Sequence, residues 1–467
     1  MATTSAATAT RPAGADGNLI VVVPSISYPV SELRKMTAVQ SYEERMLFLV
    51  LLLADPLVRI VFVTSEKVDP ATLDYYLRFL PDQADARRRL SMVATDDPSI
   101  GSLSEKVLAR PAVLEMLRAA IGGAPDGGMV PFNVTSVEQD LADVLGVPLL
   151  GPRPELVWLG SKSGSRQVAV EAGVQVLPGV EDVYSLVELA KAIAGLRHVR
   201  PQAEAVVIKL NNGFSGKGNA IIELDGLADP LTASSTVFCS EEESWPSFEP
   251  KLEAEGAIVE EVVRVDGLRS PSVQLQIAPN GEIEVLSTHD QILGGPQNQV
   301  YLGCRFPARA EYRLVIQTEA LKVARVLASR GVTGAFGIDF LVFGDKVTLS
   351  EINLRMGGTT HPYWMTRLAT RGAYDQDSGE LWVPGGGTRC YMATDNIKSA
   401  SLLGCRPAEV IERIDDAGLA YDPSTAIGAT LHLLGALAGA GKMGVTCIAG
   451  THEEADDLYR RFLDALL

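Results

Sequence analysis

Short apolar runs alternate with helical segments from Leu19 to about residue 155. This βαβ rhythm predicts an open, mostly parallel sheet with helices on its faces. The turn after the first run, Pro24–Ser27, lacks the glycines of a dinucleotide fingerprint, so the pattern does not indicate nucleotide binding here. The predicted strands are Leu19–Val23, Val58–Thr64, Leu90–Ala94 and Val130–Asn133, and the predicted helices are Tyr42–Ala54 and two that begin near Asp69 and at Ser102.

The pattern changes near residue 155. A short helical stretch lies between Gly160 and Gly173, and paired strands with a glycine-rich connection begin at Ala205. The segment Glu311–Arg330 has the apolar spacing of one helical face, and Gly331 follows as its expected cap. The expected units are a disordered tail over 1–17, an α/β domain over 18–155, an α+β domain over 156–380 and a small C-terminal α+β domain over 381–467.

Composition and charge narrow the classes of function. The 58 acidic and 41 basic residues give a net charge of -17, which disfavours nucleic acid as a partner because its phosphates are repelled. The longest apolar run, Met46–Ala54, is too short to span a bilayer, and the first 17 residues lack the apolar core of a signal peptide. The five cysteines are far apart and outside C-x-x-C spacing, which argues against a disulfide framework or structural zinc. We therefore expect a cytoplasmic protein without a membrane partner.

The most informative chemistry lies in a predicted hairpin. The strands Thr333–Phe343 and Lys346–Asn353 flank the turn pair Gly344-Asp345. A three-residue loop would place Asp339 directly opposite Glu351, whereas a two-residue loop would shift the pairing by one residue. Two carboxylates that face each other among apolar neighbours repel, and the arrangement is costly unless a cation lies between them.

The same hairpin supplies oxygen ligands that suit magnesium. Glu351 and Asn353 are two residues apart and share a face of their strand, so with Asp339 they form the predicted Mg²⁺ site. Magnesium usually takes further ligands from phosphates, which implies a nucleotide nearby. Arg355 and the Gly357-Gly358 turn follow, with a cation and backbone N–H groups that can stabilise a transferring phosphoryl group. The alternatives are acids at a solvated sheet edge and an ordinary surface arginine.

A glycine-rich loop between two strands spans Ala205–Glu223. Its glycines allow backbone N–H groups to approach phosphate oxygens, and Lys209, a charge in an apolar strand, can serve as a point charge for phosphate. The alternative is a simple turn. The residues predicted to bind phosphates are Lys162, Lys209, Gly213, Ser215, Gly216, Lys217 and Gly218.

Two further stretches carry possible nucleotide chemistry. The apolar strand Ala257–Val263 is interrupted by Glu260 and Glu261, and the backbone around Glu260–Val262 is expected to pair with the edge of adenine, against the alternative of an ordinary strand end. The stretch Gly435–Met443 superficially resembles a P-loop. It has five residues between the glycines and Met where Ser or Thr should bind magnesium, so we assign it to structure.

Taken in order, these motifs resemble the ATP-grasp superfamily over about residues 155–370. The resemblance implies a mixed α/β and α+β protein, with an ATP-grasp fold that grips ATP between two α+β subdomains, an N-terminal Rossmann-like domain and a small C-terminal appendage. It also implies roles for single residues. Lys162 and Lys209 would contact phosphates, Gly213–Gly218 would be a mobile loop, Glu260 and Val262 would form the adenine hinge, and Asp339, Glu351 and Asn353 would bind Mg²⁺.

The chain length, the Gly-Phe-Ser-Gly-Lys-Gly loop and the C-terminal unit resemble the peptide-ligase branch of this family. That branch would imply antibiotic biosynthesis and the joining of an amino-acid carboxylate, of a guanidino-phenylglycine type, to the amino terminus of a peptide. Gly337 departs from the D-alanine ligase pattern, which often has arginine at this position, and we expect Arg355 to take over that role. A homodimer is left open.

The expected reaction follows from the poor electrophilicity of a carboxylate. Its attack on the γ-phosphate of ATP would give an acyl phosphate and ADP, and an amine would then displace phosphate. Arg355 and Lys209 are the expected catalytic cations, and His289 is expected as a base or orienting group, against the alternative of a structural histidine. A kinase on the same scaffold, or a nucleotide-binding module without turnover, are the competing interpretations.

Overall fold

The N-terminal part of the chain is a small parallel sheet. Its strands lie in the order β3-β2-β1-β4 and all three pairings are parallel, as the βαβ rhythm predicts. Every residue of β1 is buried, which suits a parallel sheet covered on both faces. The computed structural model describes residues 18–123, 127–213, 218–224, 236–240, 243–295 and 300–467. The strands of this sheet are β1 (Leu19–Val23), β2 (Arg59–Thr64), β3 (Leu90–Ala94) and β4 (Gly127–Pro131).

Helices connect these strands. The side chains of Asp69 and Ser102 accept hydrogen bonds from the first-turn N–H groups of α2 and α4, so both helices begin where the sequence predicts. The apolar segment Val39–Ala54 is a 3-10 helix. The α-helices here are α1 (Val30–Leu33), α2 (Pro70–Leu77), α3 (Gln83–Arg88), α4 (Leu103–Leu108), α5 (Pro111–Ile121) and α6 (Ser136–Leu145).

A second sheet follows and is antiparallel. It contains β5 (Gly179–Val183), β6 (Ala205–Leu210), β7 (Asn219–Glu223), β8 (Thr236–Phe238) and β9 (Ala257–Glu261). The strands lie in the order β5-β9-β6-β7-β8, so β9 lies between β5 and β6 and its backbone groups face neighbours on both sides. The associated helices are a 3-10 turn at Pro154–Gly160, α7 (Lys162–Glu171), α8 (Leu186–Val199) and α9 (Trp245–Glu255).

The largest sheet has ten strands. Its main path is β14-β13-β10-β11-β12-β17-β16-β15, with β19 paired to β17 and β18 paired to β19. The C-terminal unit therefore continues this sheet through the pairing of β12 with β17. The strands are β10 (Pro271–Ile277), β11 (Ile283–Gly294), β12 (Val300–Phe306), β13 (Gly334–Phe343), β14 (Lys346–Asn353), β15 (Ala373–Asp375), β16 (Glu380–Trp382), β17 (Thr388–Lys398), β18 (Gly428–His432) and β19 (Lys442–Ala449).

Helices pack on this sheet and join it to the N-terminal part. The rings of Phe48 and Trp364 stack with centroids 6.5 Å apart. This contact packs the 3-10 helix Val39–Ala54 against α11 (Thr360–Thr370). Across the described ranges, none of the helices has both the length and the apolar character needed to span a bilayer. The helices are α10 (Arg313–Ser329), α11 (Thr360–Thr370), a 3-10 turn at Ala400–Leu402, α12 (Pro407–Asp416), α13 (Ala436–Ala440) and α14 (His452–Leu466).

The hairpin of β13 and β14 has the predicted register between its two acids, but a β-bulge produces it. Its turn has two residues, since Phe343 pairs with Lys346. Uninterrupted pairing would then place Asp339 opposite Ser350. A β-bulge adds one residue to β14 at this point, and the result is that Asp339 pairs directly with Glu351. The two acids therefore lie opposite each other with a two-residue turn, for which the sequence predicts a shift of one residue.

Candidate active site

One cavity of about 510 Å³ brings together most of the residues singled out from the sequence. It lies between the five-stranded sheet, which contributes β6 and β9, and the hairpin of the ten-stranded sheet. Residues far apart in sequence thus meet at one place, as expected of a cofactor or substrate site. The predicted residues that line the cavity are Lys162, Lys209, Gly213, Glu260, Glu261, Val262, Asp339, Glu351, Asn353 and Arg355.

The paired acids of the hairpin are held by amide side chains. Asn353 donates to Asp339 at 3.1 Å and Gln291, from β11, donates to the other oxygen of Asp339 at 2.8 Å. Burial and the nearby Glu351 carboxylate raise the pKa of Asp339 above its usual range. Burial acts in the same direction on Glu351, but the cations Lys162, Arg355 and Lys209 together outweigh it and lower the pKa of this second acid. The pKa values of the two acids are therefore shifted in opposite directions.

These groups fit a magnesium ion. Two facing carboxylates with an adjacent amide oxygen are hard oxygen ligands, and a cation between them would offset their mutual repulsion. Lys162 Nζ lies 2.5 Å from Glu351 Oε2, where it supplies part of that charge. Within the described residues, no three His, Cys, Asp or Glu side chains converge, so a metal here would depend on the two acids and Asn353.

Three cations surround the acids. Lys162 is nearly buried at the first position of α7, Lys209 forms an ion pair with Glu260, and Arg355 donates to Asn353 Oδ1 at 2.8 Å. Each cation is already oriented by an acid or amide of the same cavity. This arrangement can bind a polyphosphate, because phosphate oxygens can replace the acid and amide groups that now contact the three cations.

The predicted adenine hinge is built differently from the expectation. The Glu260 side chain is buried and accepts from Arg166 at 3.1 Å as well as pairing with Lys209. The Glu261 N–H donates to the Pro178 carbonyl and the Val262 N–H to that of Ala205, each at 3.0 Å. The N–H groups of Glu261 and Val262 are therefore occupied within the sheet, and the hinge can offer carbonyl oxygens and side chains but not these two donors.

The glycine loop is only partly described. Gly213 lines the cavity, and Gly218, at the other end of the loop, has a φ of 85°, which favours glycine. The predicted phosphate contacts Ser215, Gly216 and Lys217 lie outside the described residues. The two glycines place the ends of the loop beside Lys209, at the junction of β6 and β7.

His289 is not brought to the cavity. Its ring is fully buried, with Nε2 2.6 Å from the Tyr391 hydroxyl and the rings of Phe306 and Tyr363 close by. Burial lowers the pKa of His289 to about 3. A neutral histidine packed among aromatic rings fits the structural alternative, so we assign His289 no contact with substrate.

Two residues of the site were missed from the sequence. Gln291 orients Asp339, and Arg166 holds Glu260 while also pairing with Glu181 at 2.6 Å. Arg166 lies in a predicted helix among several small polar residues, and this position was the one available signal in the sequence. If that helix is buried, Arg166 needs an acidic partner, because arginine is seldom buried unless it is paired. Gln291 gave none beyond its position two residues after His289.

Models of known families match three stretches of the chain. Residues 44–147 match a "Pre ATP-grasp domain", and residues 154–235 and 223–354 match an "IQCH-like, ATP-grasp" model. Residues 409–462 match a "PGM1 C-terminal domain". The order of these matches follows the order of the units expected from the sequence.

Relatives were found both by sequence and by structure. The L-propargylglycine–L-glutamate ligase of Streptantibioticus cattleyicolor is 34% identical over 466 residues, which are 97% of this chain and 94% of the relative. IQ motif-containing protein H of Danio rerio is 23% identical over 426 residues, but the match covers only 40% of that protein.

Among solved structures, a biotin carboxylase–β-γ-ATP complex from Campylobacter jejuni superposes with a TM-score of 0.59 at 16% identity, covering 97% of this chain and 92% of the other. The biotin carboxylase domain dimer of a Hydrogenobacter thermophilus carboxylase, in complex with MgADP, ADP and bicarbonate, superposes with a TM-score of 0.56 at 13% identity, covering 96% and 90%. At these identities the likeness shows the fold.

Proposed function

Because the chain belongs to the ATP-grasp family of C–N bond-forming ligases, whose enzymes use ATP and Mg²⁺, we propose that it joins an amino-acid carboxylate to the amine of a second amino acid or a peptide. The related ligase that is named for L-propargylglycine and L-glutamate supports an amino-acid substrate on each side of the new bond. The amine of a peptide, expected from the sequence, is retained as part of the proposal.

The observation that carries the proposal is the meeting of paired acids and three cations in one cavity. Asp339, Glu351 and Asn353 would hold Mg²⁺, which when bound neutralises charge on the phosphates of ATP. Lys162 and Lys209 would leave Glu351 and Glu260 to bind phosphate oxygens. The site therefore exchanges internal ion pairs for contacts with ATP.

In the first step, a carboxylate oxygen of the acid substrate attacks the γ-phosphorus and the bond to the ADP oxygen breaks. Arg355 is placed beside Asn353, where it can hold the acid substrate's carboxylate against the γ-phosphate and stabilise charge as it develops. The products of this step are an acyl phosphate and ADP. Carbon is activated because phosphate is a far better leaving group than oxide.

In the second step, the amine nitrogen attacks the acyl carbon, phosphate leaves, and the nitrogen loses a proton. Water would compete for the acyl phosphate, so the cavity must be covered during the reaction. The expectation from the sequence that Gly213–Gly218 forms a loop over the phosphates is retained as part of the proposal, and its described end Gly213 lines the cavity. We also propose a homodimer, because the superposed biotin carboxylase domain of Hydrogenobacter thermophilus is a dimer.

Product analysis tests the proposal. Purified protein is incubated with ATP, MgCl₂, pooled amino acids and pooled dipeptides, and the products are measured as ADP, free phosphate and amide by mass spectrometry. We expect stoichiometric ADP, phosphate and amide, all dependent on Mg²⁺. A phosphorylated small molecule without an amide would instead establish the kinase, and an absence of ADP release with every pool would contradict catalysis.

A further inference from the structure

The cavity extends beyond the residues assigned to ATP and magnesium. Its far end is lined by Tyr42 and Arg45 of the 3-10 helix, Tyr301 of β12, Asn396 of β17 and Lys442 of β19. The N-terminal and C-terminal parts of the chain thus meet there. The function proposed above uses none of these side chains.

The two ends of the cavity form one continuous wall. Gly358 comes shortly after Arg355, and a Cβ atom added to it would lie 2.6 Å from the ring of Tyr301. The Asn396 amide donates to the Leu302 carbonyl at 3.0 Å, next to Tyr301. A substrate that lies along this wall would therefore have one end at Arg355 and the other at Asn396 and Lys442.

Lys442 is a buried cation in this wall. Only 8% of its surface is exposed, and Nζ donates to the Tyr42 hydroxyl at 2.6 Å and to Asn396 Oδ1 at 3.3 Å. Both partners are neutral. Among the residues that the structure describes, no carboxylate lies within ion-pair distance of Lys442. A buried charge without a counter-ion is costly, so a ligand that supplies one is strongly favoured.

The neighbouring charges do not supply the counter-ion. Asp395 is occupied on both oxygens, by Arg45 at 2.6 Å and by His361 at 3.0 Å. Lys398 is paired with Lys442 across β17 and β19, but its side chain is exposed to solvent and does not line the cavity. The far end of the cavity is therefore electropositive, although the whole protein has a net charge of -17.

We infer that Lys442, with Tyr42 and Asn396, binds the free carboxylate of the amine substrate. This inference rests on the proposed ligase function. Ligation consumes the carboxylate of the acid substrate at the metal end, whereas an amino acid or peptide that donates its amine keeps a carboxylate throughout the reaction. That spectator carboxylate is the anion that Lys442 lacks, and the site selects amine donors that carry one.

The test compares amine donors that differ only in this group. Isotope-labelled amino acids and dipeptides are supplied either as free carboxylates or as carboxamides, with unlabelled amino acids as acid donors, and labelled amide products are counted by mass spectrometry. We expect the wild type to favour the carboxylates by about ten- to a hundredfold, the range for a hydrogen bond to a charged group. Lys442→Met should raise the KM for the carboxylate donors by the same factor, leave the KM for ATP unchanged, and remove the preference.

Two controls isolate the charge at this position. Lys442→Arg keeps the cation and should keep the preference. Lys398→Met removes an exposed lysine from the directly opposite position and should behave like the wild type. Equal use of both donor sets by the wild type, or an unchanged preference in Lys442→Met, would overturn the inference while leaving the ligase intact.

A second measurement does not depend on turnover. The free-carboxylate set should raise the melting temperature of the wild type but not of Lys442→Met, and the carboxamide set should raise neither. Without ligand, Lys442→Met should be at least as stable as the wild type, because methionine carries no buried charge. If ligation is absent but this difference is seen, the proposed reaction fails and the carboxylate site stands. If no set shifts the wild type, the site itself is rejected.

Discussion

The two ends of the cavity treat their positive charges differently. At the nucleotide end, Lys162 and Lys209 are paired with Glu351 and Glu260. At the far end, Lys442 is held by the neutral groups of Tyr42 and Asn396. The first end is electrostatically balanced before a ligand arrives, and the second is balanced only by a ligand. At the nucleotide end, a ligand would replace the acids that now pair with the lysines. At the far end, a ligand would give Lys442 its first acidic partner.

Exchange suits the chemistry of the nucleotide end. There a metal and a polyphosphate must bind and leave in every turnover, and an acid that holds a lysine between turnovers keeps both groups in place at low cost. Addition suits recognition, because the gain on binding is largest when the buried group has no other partner. The following predictions test whether the nucleotide end works by such an exchange.

The largest effect is expected from Glu351→Gln. The substitution removes one of the paired carboxylates and takes the counter-ion from Lys162. We expect kcat for ADP release to fall at least about a hundredfold, because charge that develops on the phosphates loses its main source of stabilisation. Glu282→Gln, at an exposed turn, is the matched control and should keep full activity. Full activity in Glu351→Gln would remove the metal site from the account.

The next effect is expected from Lys209→Met. Glu260 keeps its contact with Arg166, so the fold should survive the loss of the lysine. We expect the KM for ATP to rise about tenfold or more, since a charged contact with phosphate is lost. Initial rates over a range of ATP concentrations measure this. Lys191→Met, on the exposed side of α8, serves as the control; a lower melting temperature with an unchanged KM would make Lys209 purely structural.

A smaller effect is expected from Gln291→Met. Gln291 orients Asp339 by a hydrogen bond of 2.8 Å and does not itself carry charge. Loss of such a supporting bond should weaken activation by Mg²⁺ about tenfold. A titration of activity against MgCl₂ measures the change, with Gln139→Met on α6 as the control. Unchanged magnesium dependence would show that Asn353 alone positions Asp339.

The smallest effect on activity is expected from His289→Phe. Because burial lowers the pKa of His289 to about 3, its neutral form is favoured in the folded protein. Its contribution to stability is fully present above the unfolded-state pKa of about 6.5 and is lost as the pH falls from there toward 3. The variant should therefore lose less stability than the wild type between pH 7.5 and pH 5, and kcat at pH 8 should change less than about twofold. A large loss of kcat with an intact fold would restore His289 as a catalytic residue.

Local patterns predicted the fold and the hairpin well. The strands of the N-terminal sheet and of the hairpin follow directly from continuous and alternating apolar runs, and the capping side chains of Asp69 and Ser102 mark helix starts. The opposition of Asp339 and Glu351 was predicted for a three-residue loop, whereas the hairpin reaches it with a two-residue turn. A bulge at Ser350 compensates, and no sequence rule that we used locates bulges.

Packing between distant parts of the chain determines which side chains of β11 reach the cavity. His289 and Gln291 are two residues apart on β11, so alternation places them on one face of the strand. Yet Gln291 reaches Asp339, while His289 is covered by Tyr391 and Tyr363. That cover comes from β17 and α11, about 70 to 100 residues later in the chain, and periodicity cannot report it.

The burial of Lys442 could not be predicted from local sequence for the same reason. As part of a glycine-containing stretch it was rejected as a P-loop, which agrees with its position at the start of β19. Its burial beside Tyr42 brings together residues 400 positions apart in the chain. A lysine is usually exposed, and nothing in the local sequence distinguishes this one from the exposed Lys398 opposite it.

The most direct test of the central claim follows an oxygen atom from the acid substrate to phosphate. The protein is supplied with Mg-ATP, amine donors and amino acids whose carboxylates are labelled with ¹⁸O, and the released phosphate is analysed by mass spectrometry. An acyl phosphate requires one labelled oxygen in each phosphate that accompanies an amide bond. Amide formation with unlabelled phosphate, or with AMP and pyrophosphate, would contradict attack of the carboxylate on the γ-phosphate at the site of Asp339 and Glu351.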